Sequence, residues 1–353
     1  MAKKLLTERT INILVPVLSV IFGLIVGAIV MLVSGYDPIV GYSALWTGMF
    51  GSASAIGETL RTMIPLILAG LSVAFAFRTG LFNIGVEGQL LVGWLAAVWF
   101  GYAVSLPAFL HIPLSILFAA MVGGIWGFIP GYLKGKFKVN EVIVTIMMNY
   151  IALYVTYDII KRFLHEGNDK TYDIKASASL SSDWLAAITD GSRLHWGIIV
   201  AILVAILMWF LLDRTTLGYE LKSVGFNQHA SQYAGMKVSR NVVFSMTIAG
   251  AFAGIGGAME GLGTFQSMTA MSSFTGIGFD GIAVALLGGN NPFGIILSAL
   301  LFGGLKSASP QMNFEADVPS ELINVIIACI IFFVACSYVL RWALTRMSRR
   351  GNK

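Results

Sequence analysis

The sequence predicts an all-α fold, a polytopic transmembrane bundle of about ten helices forming one domain over residues 1–353. Three observations carry that prediction. The chain is 57% hydrophobic and only 12% charged, whereas soluble domains hold about a quarter charged residues. Its mean hydropathy is +0.80. Apolar runs of about 20 residues recur along the whole length, each able to cross a hydrocarbon layer. A transmembrane barrel would alternate apolar and polar residues, and runs such as Ile198 to Leu212 do not.

The first segment, 11–33, follows Lys3, Lys4 and Arg9. It is too long for a secretory signal and no small-residue cleavage site closes it, so it reads as an uncleaved helix with its basic end inside. Further segments fall at 60–77, 82–104, 111–133, 140–160, 196–212, 241–262, 273–289, 292–308 and 320–342. Cys329 and Cys336 share the last one, separated by roughly 10 Å of helical rise, which is too far for a disulfide and suits packing. With the amino terminus inside, 16 of the 23 basic residues fall on the cytoplasmic side, including Arg341, Arg346, Arg349, Arg350 and Lys353. Both termini are then cytoplasmic, 164–195 is an extracellular loop and 213–240 a cytoplasmic one. This sidedness accounts for the net charge of +5 without nucleic acid as a partner.

Much of the glycine lies inside apolar helices. Gly23 and Gly27, then Gly123, Gly127 and Gly131, then Gly250, Gly254, Gly257 and Gly261 recur at three- and four-residue spacing, which lets helix backbones approach closely in lipid. Residues 80–93 also echo 276–289 at five of fourteen positions, with opposite predicted directions, as an inverted transporter repeat would.

A carboxylate at membrane depth costs about 3 kcal/mol or more and therefore faces a cavity, a partner or a pathway. Glu87 lies four residues after Asn83 and two before Gln89, in a glycine-rich, interrupted segment, and Asp280 lies in its echo. Glu141, Thr145 and Asn149 stack as one polar stripe on an otherwise apolar helix. These seven residues are the candidates for a solute pathway. The structural alternatives are a surface position for Glu141 beside Lys138, a helix–helix bond for Asn149, caps of broken helices for Glu87 and Asp280, and an outer-surface position for Glu260. The sequence lacks a G-x-x-x-x-G-K-[ST] phosphate loop, an H-E-x-x-H pair and a G-x-S-x-G elbow, and His165–Glu166 has no second histidine. It therefore reads as a non-enzyme with no metal site, its energy supplied by an ion gradient or a partner.

The loop from Asp213 to Arg240 is long for a connector. Its residues 227–234 form a short helix ended by Gly235. Here the chain resembles the permease subunits of bacterial ABC importers of the branched-chain amino-acid and ribose type. The resemblance rests on Leu217-Gly218, Val224-Gly225-Phe226-Asn227, Ala230, Tyr233-Ala234-Gly235-Met236, the run Ala249 to Gly257 and the run Gly278 to Gly289. Asn83-Ile84-Gly85-Val86-Glu87-Gly88-Gln89 and the run Asn140 to Tyr150 look most like the nucleoside importers.

The resemblance implies a nucleoside permease of a bacterial plasma membrane working by alternating access. Gly225, Phe226, Asn227, Ala230, Tyr233, Ala234 and Gly235 would couple it to an ABC ATPase subunit. That partner would use ATP and Mg, while this chain binds no cofactor. A second, related permease forming a heterodimer and an extracellular substrate-binding lipoprotein complete the implied complex, in membrane lipid. The polar loop from Leu164 to His195 matches no shared motif and reads as a receptor surface or a solvated spacer. A permease for sugars or branched-chain amino acids, and an ion-coupled carrier using Glu87 and Asp280, are the alternatives.

Overall fold

Apolar sequence without hydrogen-bonding solvent must satisfy its backbone internally, and the chain does so with helices throughout the described residues. The computed structural model describes residues 8–164 and 169–336; Lys3, Lys4, the His165–Glu166 pair and the basic residues after 336 lie outside them. In chain order the α-helices are α1 (Glu8–Val33), α2 (Pro38–Phe50), α3 (Ala53–Arg78), α4 (Val86–Ala103), α5 (Ala108–Phe137) and α6 (Glu141–Ile159). They continue with α7 (Asp183–Ile188), α8 (Gly197–Arg214), α9 (Thr216–Phe226), α10 (Gln228–Tyr233) and α11 (Val238–Met259). The last are α12 (Ile277–Leu287), α13 (Pro292–Ser307), α14 (Ser309–Ala316) and α15 (Ser320–Ala335). Single π-helical turns extend α6 over Ile160–Leu164 and α11 over Glu260–Thr264.

Seven helical segments are long and apolar enough to cross a membrane: Leu14–Val33, Ala53–Arg78, Ala108–Phe137, Glu141–Leu164, Gly197–Arg214, Val238–Thr264 and Pro292–Ala316. Each covers one of the ten segments expected from the sequence, so seven of the ten are both long and apolar enough. The other three are not among them, for separate reasons. Residues 82–85 are not helical, so α4 starts only at Val86; its 18 residues equal α8 in length, but Glu87 and Gln89 in its first turn make it less apolar. Helix α12 has 11 residues, bounded by Gly276 at φ +81° and by Gly288. Helix α15 has 16 described residues, and 337–342 of its expected segment lie outside the described residues. The echoed segments 80–93 and 276–289 begin their helices at non-equivalent positions, Val86 and Ile277, so no inverted repeat emerges from their local structure.

The chain forms two compact units. The first comprises residues up to Ala55 together with those from Gly304 onward. There α1 packs on α15: a Cβ added to Gly23 would fall 2.7 Å from the Ile330 Cα, and one at Gly27 2.7 Å from the Ile326 Cγ1. Tyr42 donates its hydroxyl to the Leu24 carbonyl at 2.5 Å.

The second unit, Ile56–Gly303, is organised around α11. Antiparallel α5 faces it through glycine, Gly123 opposite Gly254, Gly127 opposite Gly250 and Gly131 opposite Met246. A Cβ at Gly250 or Gly254 would lie 3.1 Å from the Cα of Gly127 or Gly123 and closer still to a carbonyl oxygen. Helix α4 runs parallel to α11 on another face, Gly257 against Leu90 and Trp94, Gly261 against Trp94 and Val98. The glycine ladders read from the sequence are thus contact faces between backbones, as small residues allow in lipid. Residues Val86 to Val98 of α4 are all buried, so protein surrounds this helix through that stretch.

The segment from Asp169 to His195 is tied to the turn after α11 rather than freely solvated along its length. Thr171, Ile174 and Leu180 donate their amides to the carbonyls of Met268, Gln266 and Leu262, and Ala178 and Leu180 are buried.

Candidate functional site: a polar node inside the bundle

Two helices of the second unit begin within the bundle rather than at its edge. Because Leu90 meets Gly257, Val86 lies level with Ala253, about 20 Å along α11 from Val238 at 1.5 Å per residue. Gly88 meets Asn149 of α6, which is roughly 12 Å beyond Glu141. Helix α12 runs beside α3 in the same direction, Gly281 against Ala69 and Val284 against Gly70. Its N-terminus sits against the first turn of α4, where a Cβ at Gly278 would fall 2.5 Å from the Glu87 Cα.

Unpaired amides at such ends are costly in hydrocarbon, and the sequence supplies acceptors for them. Glu87, fully buried, reaches from α4 to α12. Its Oε1 accepts from the Thr275 hydroxyl at 2.6 Å and the Gly276 amide at 2.9 Å, and its Oε2 accepts from the Gly278 amide at 2.6 Å. A carboxylate held by the first amides of a helix also meets the positive end of its dipole. The start of α4 is satisfied from α6. Asn149 accepts from the Gly88 amide at 2.8 Å and donates its Nδ2 to the Ile84 carbonyl at 3.0 Å. Asn83 and Gln89 close the turn between them: Asn83 Nδ2 donates to Gln89 Oε1 at 3.0 Å, and Asn83 Oδ1 accepts from the Gly85 amide at 3.0 Å and from Gln89 Nε2 at 3.3 Å.

Five of the seven pathway candidates therefore converge: Asn83, Glu87, Gln89, Thr145 and Asn149. Asn83 does so from the extended segment, not from a helix face shared with Glu87. Thr145 contributes contact, since its hydroxyl donates to the Val142 carbonyl of its own helix at 3.1 Å. Glu141 and Asp280 lie outside the node. Glu141 pairs with Lys134 at 2.7 Å, not with Lys138. Asp280 is half-buried in the first turn of α12 and is not among the groups bound to Glu87. Glu260, expected near the outer surface, is buried in the π-helical turn and accepts from Thr264 at 3.4 Å.

Two participants escaped the sequence reading. Thr275 was signalled by position, a threonine and a glycine directly before an apolar helical run. Arg78 gave no signal, because its partner is a backbone carbonyl 212 residues away. Its Nε and Nη2 both donate to the Asn290 carbonyl, at 3.1 and 2.9 Å.

The segment from Thr215 to Gly235 forms a second site. Asn227 ends α9 and caps α10, accepting from the Ala230 amide at 3.0 Å, and Gly235 leaves α10 at φ +84°. The short helix expected over 227–234 is therefore present as α10 with its caps. Phe226 is 91% and Tyr233 95% exposed, large aromatics with no covering among the described residues. Glu220 anchors the segment, accepting from Asn241 at 2.9 Å and Arg240 at 3.1 Å. The Asn241 bond, followed by Arg240, holds the Glu220 carboxyl below its usual range against the effect of burial.

A chain with exposed aromatics, broken helices and glycine-packed spans suits a transport subunit. The sequence model of the permease component of branched-chain amino acid transport systems matches residues 55–347. The chain belongs to that family. Like its relatives, this permease is a multi-pass membrane transport subunit and not an enzyme. It is 58% identical to the guanosine ABC transporter permease protein NupP of Bacillus subtilis over 98% of this chain and 99% of that one. It is 42% identical to the nucleoside ABC transporter permease protein NupB of Lactococcus lactis, over 97% and 95%. A second guanosine permease protein of Bacillus subtilis, NupQ, is 30% identical over 72% of this permease and 81% of its own length.

Proposed function

We propose that this chain is one of two transmembrane subunits of an ATP-driven importer that takes up nucleosides by alternating access. The observation that carries the reading is 58% identity to a guanosine permease along essentially the whole of both chains. The second subunit is a related, non-identical permease, in keeping with the two guanosine permease proteins of Bacillus subtilis. An extracellular lipoprotein delivers the nucleoside, and a cytosolic ATPase subunit binds the ATP and Mg that drive the cycle.

In this reading both termini and residues 213–240 face the cytosol, and 164–195 face outward. The exposed Phe226 and Tyr233, with Gly225, Asn227, Ala230, Ala234 and Gly235, meet the ATPase. Helix α4 acts as an eighth crossing enclosed by protein and α12 as a half-crossing, the discontinuous helices from which transporters build central sites. Asn83, Glu87, Gln89, Thr145 and Asn149 hold these two starts together, while Glu141 and Asp280 flank the pathway. Loaded receptor and ATP must each prefer a different state of this assembly, since only differential affinity shifts a conformational equilibrium.

The deciding experiment is uptake of radiolabelled nucleoside in cells lacking this chain, complemented by the gene and competed with other solutes. Uptake restored by the gene and competed by unlabelled nucleosides is the expected result. Competition only by ribose or leucine would move the substrate to another class, and uptake by the purified chain alone under a pH gradient would replace the mechanism.

A further inference from the structure

Gly225, in the last turn of α9, touches the end of α3 backbone to backbone. A Cβ there would lie 3.0 Å from the Thr79 carbonyl carbon and closer still to the Arg78 carbonyl oxygen. Gly80, at φ +72°, meets the same place from the other side, its own Cβ position 3.3 Å from the Gly225 carbonyl oxygen. A side chain at Gly225 would collide with backbone, and one at Gly80 would be strained by its φ. Three residues beyond Gly80 the chain enters the node at Asn83, and six beyond it enters α4. The opposite side of this junction is occupied by the Arg78 guanidinium, half-buried and with no carboxylate in salt-bridge reach among the described residues. It spends two donors on one acceptor, the carbonyl of Asn290, in the turn that ends α12. That turn is tightly wound, with Gly289 at φ +62° and Asn290 at +53° and with the Asn290 amide returned to the Ala285 carbonyl. A cleft of about 260 Å³ lined by Arg78, Lys222, Gly225, Phe226 and Asn290 opens beside this contact.

A force applied to α10 thus has two short routes to the node, both entering through the packing contact of Gly225 with the Arg78–Thr79 backbone. Through the Arg78–Gly80 backbone it reaches the segment that starts α4. Through the guanidinium fork it reaches the far end of α12, whose near end is held by Glu87. We propose that Arg78 is the positioning residue that converts movement of the Gly225–Gly235 segment into joint movement of α4 and α12. The inference rests on the importer reading above. A planar fork gripping one oxygen transmits displacement better than a single ammonium, so lysine should serve only in part.

The test is the number of nucleosides moved per ATP hydrolysed by the full complex, purified intact and reconstituted with its receptor, for wild type, Arg78→Lys and Arg78→Gln. The expected result is a ratio lowered about tenfold by glutamine and less by lysine, a size usual for coupling between sites, with receptor-free ATPase within about twofold of wild type. A residue that merely caps the ends of α3 and α12 would lower the yield or melting temperature of the complex and leave the ratio unchanged. An unchanged ratio in the assembled glutamine complex overturns the proposal; if that complex does not assemble, an unchanged ratio in the lysine complex does so. A wild-type complex that hydrolyses ATP without moving nucleoside would instead sink the importer reading.

Discussion

Replacing Glu87 tests whether the node holds the two interior helix starts together. In Glu87→Gln one oxygen can still accept from Thr275 and Gly276, but the amide nitrogen then faces the Gly278 amide, donor against donor where the native separation is 2.6 Å. One charge-assisted bond is lost, worth about 1.5–3 kcal/mol, and a buried N–H is left unpaired at about 1–3 kcal/mol. These overlap, so the net loss should be about 2–4 kcal/mol. In Glu87→Ala the Thr275 hydroxyl can turn elsewhere but both backbone amides are stranded, and α12 loses the anion at its positive end, so the loss should exceed that of glutamine. At roughly 2–4 °C per kcal/mol the glutamine variant should melt about 5–10 °C below wild type, and the alanine variant lower still. Size-exclusion recovery of the detergent-solubilised protein after heating measures this directly. Glutamine and alanine variants that both melt within about 1 °C of wild type would refute the argument that Glu87 bears the α12 terminus.

Asn149→Leu should cost about 2–4 kcal/mol in the same assay, because it strands the Gly88 amide and the Ile84 carbonyl together. Gly250→Val should prevent recovery of folded protein by forcing α5 from α11, whereas Gly124→Ala, with 3.3 Å to the nearest atom, should be within about 1 kcal/mol of neutral; equal behaviour of the two would contradict the backbone contact. Burial, and then the Arg61 charge, push the His195 pKa down to about 4 from its ordinary 6.5. The unfolded chain takes that proton below pH 6.5 and the native one only near 4, so stability of about 3 kcal/mol is intact above 6.5 and drains away as pH falls to 4. In Glu58, Arg61 and Arg193 the same region carries other charges, so the measurement is the difference in melting temperature between pH 7.5 and 5.0 for wild type and His195→Gln; equal differences would exclude His195 as the source.

Hydropathy and spacing alone determined that the chain is helical, that it crosses a membrane several times, and that its glycine runs are packing faces. These are local properties: an apolar run of span length has one stable form in lipid, and a glycine every fourth residue marks a helix face whatever lies opposite. The capped helix after Asn227 was legible for the same reason, its acceptor and donor being three residues apart. Tertiary structure alone decided which helices stop short and which polar groups meet. Val86 begins its helix where it does because Asn149, 61 residues away from Gly88, accepts the Gly88 amide, and α12 begins where Glu87, from 189 residues earlier in the chain, accepts the Gly276 amide. Asp280 and Glu141 share the composition of the node residues yet lie outside it, since one turn of a helix or one neighbouring lysine redirects a side chain without changing the pattern. Arg78 remained hidden because its acceptor is a main-chain carbonyl, a group every residue carries and no sequence distinguishes.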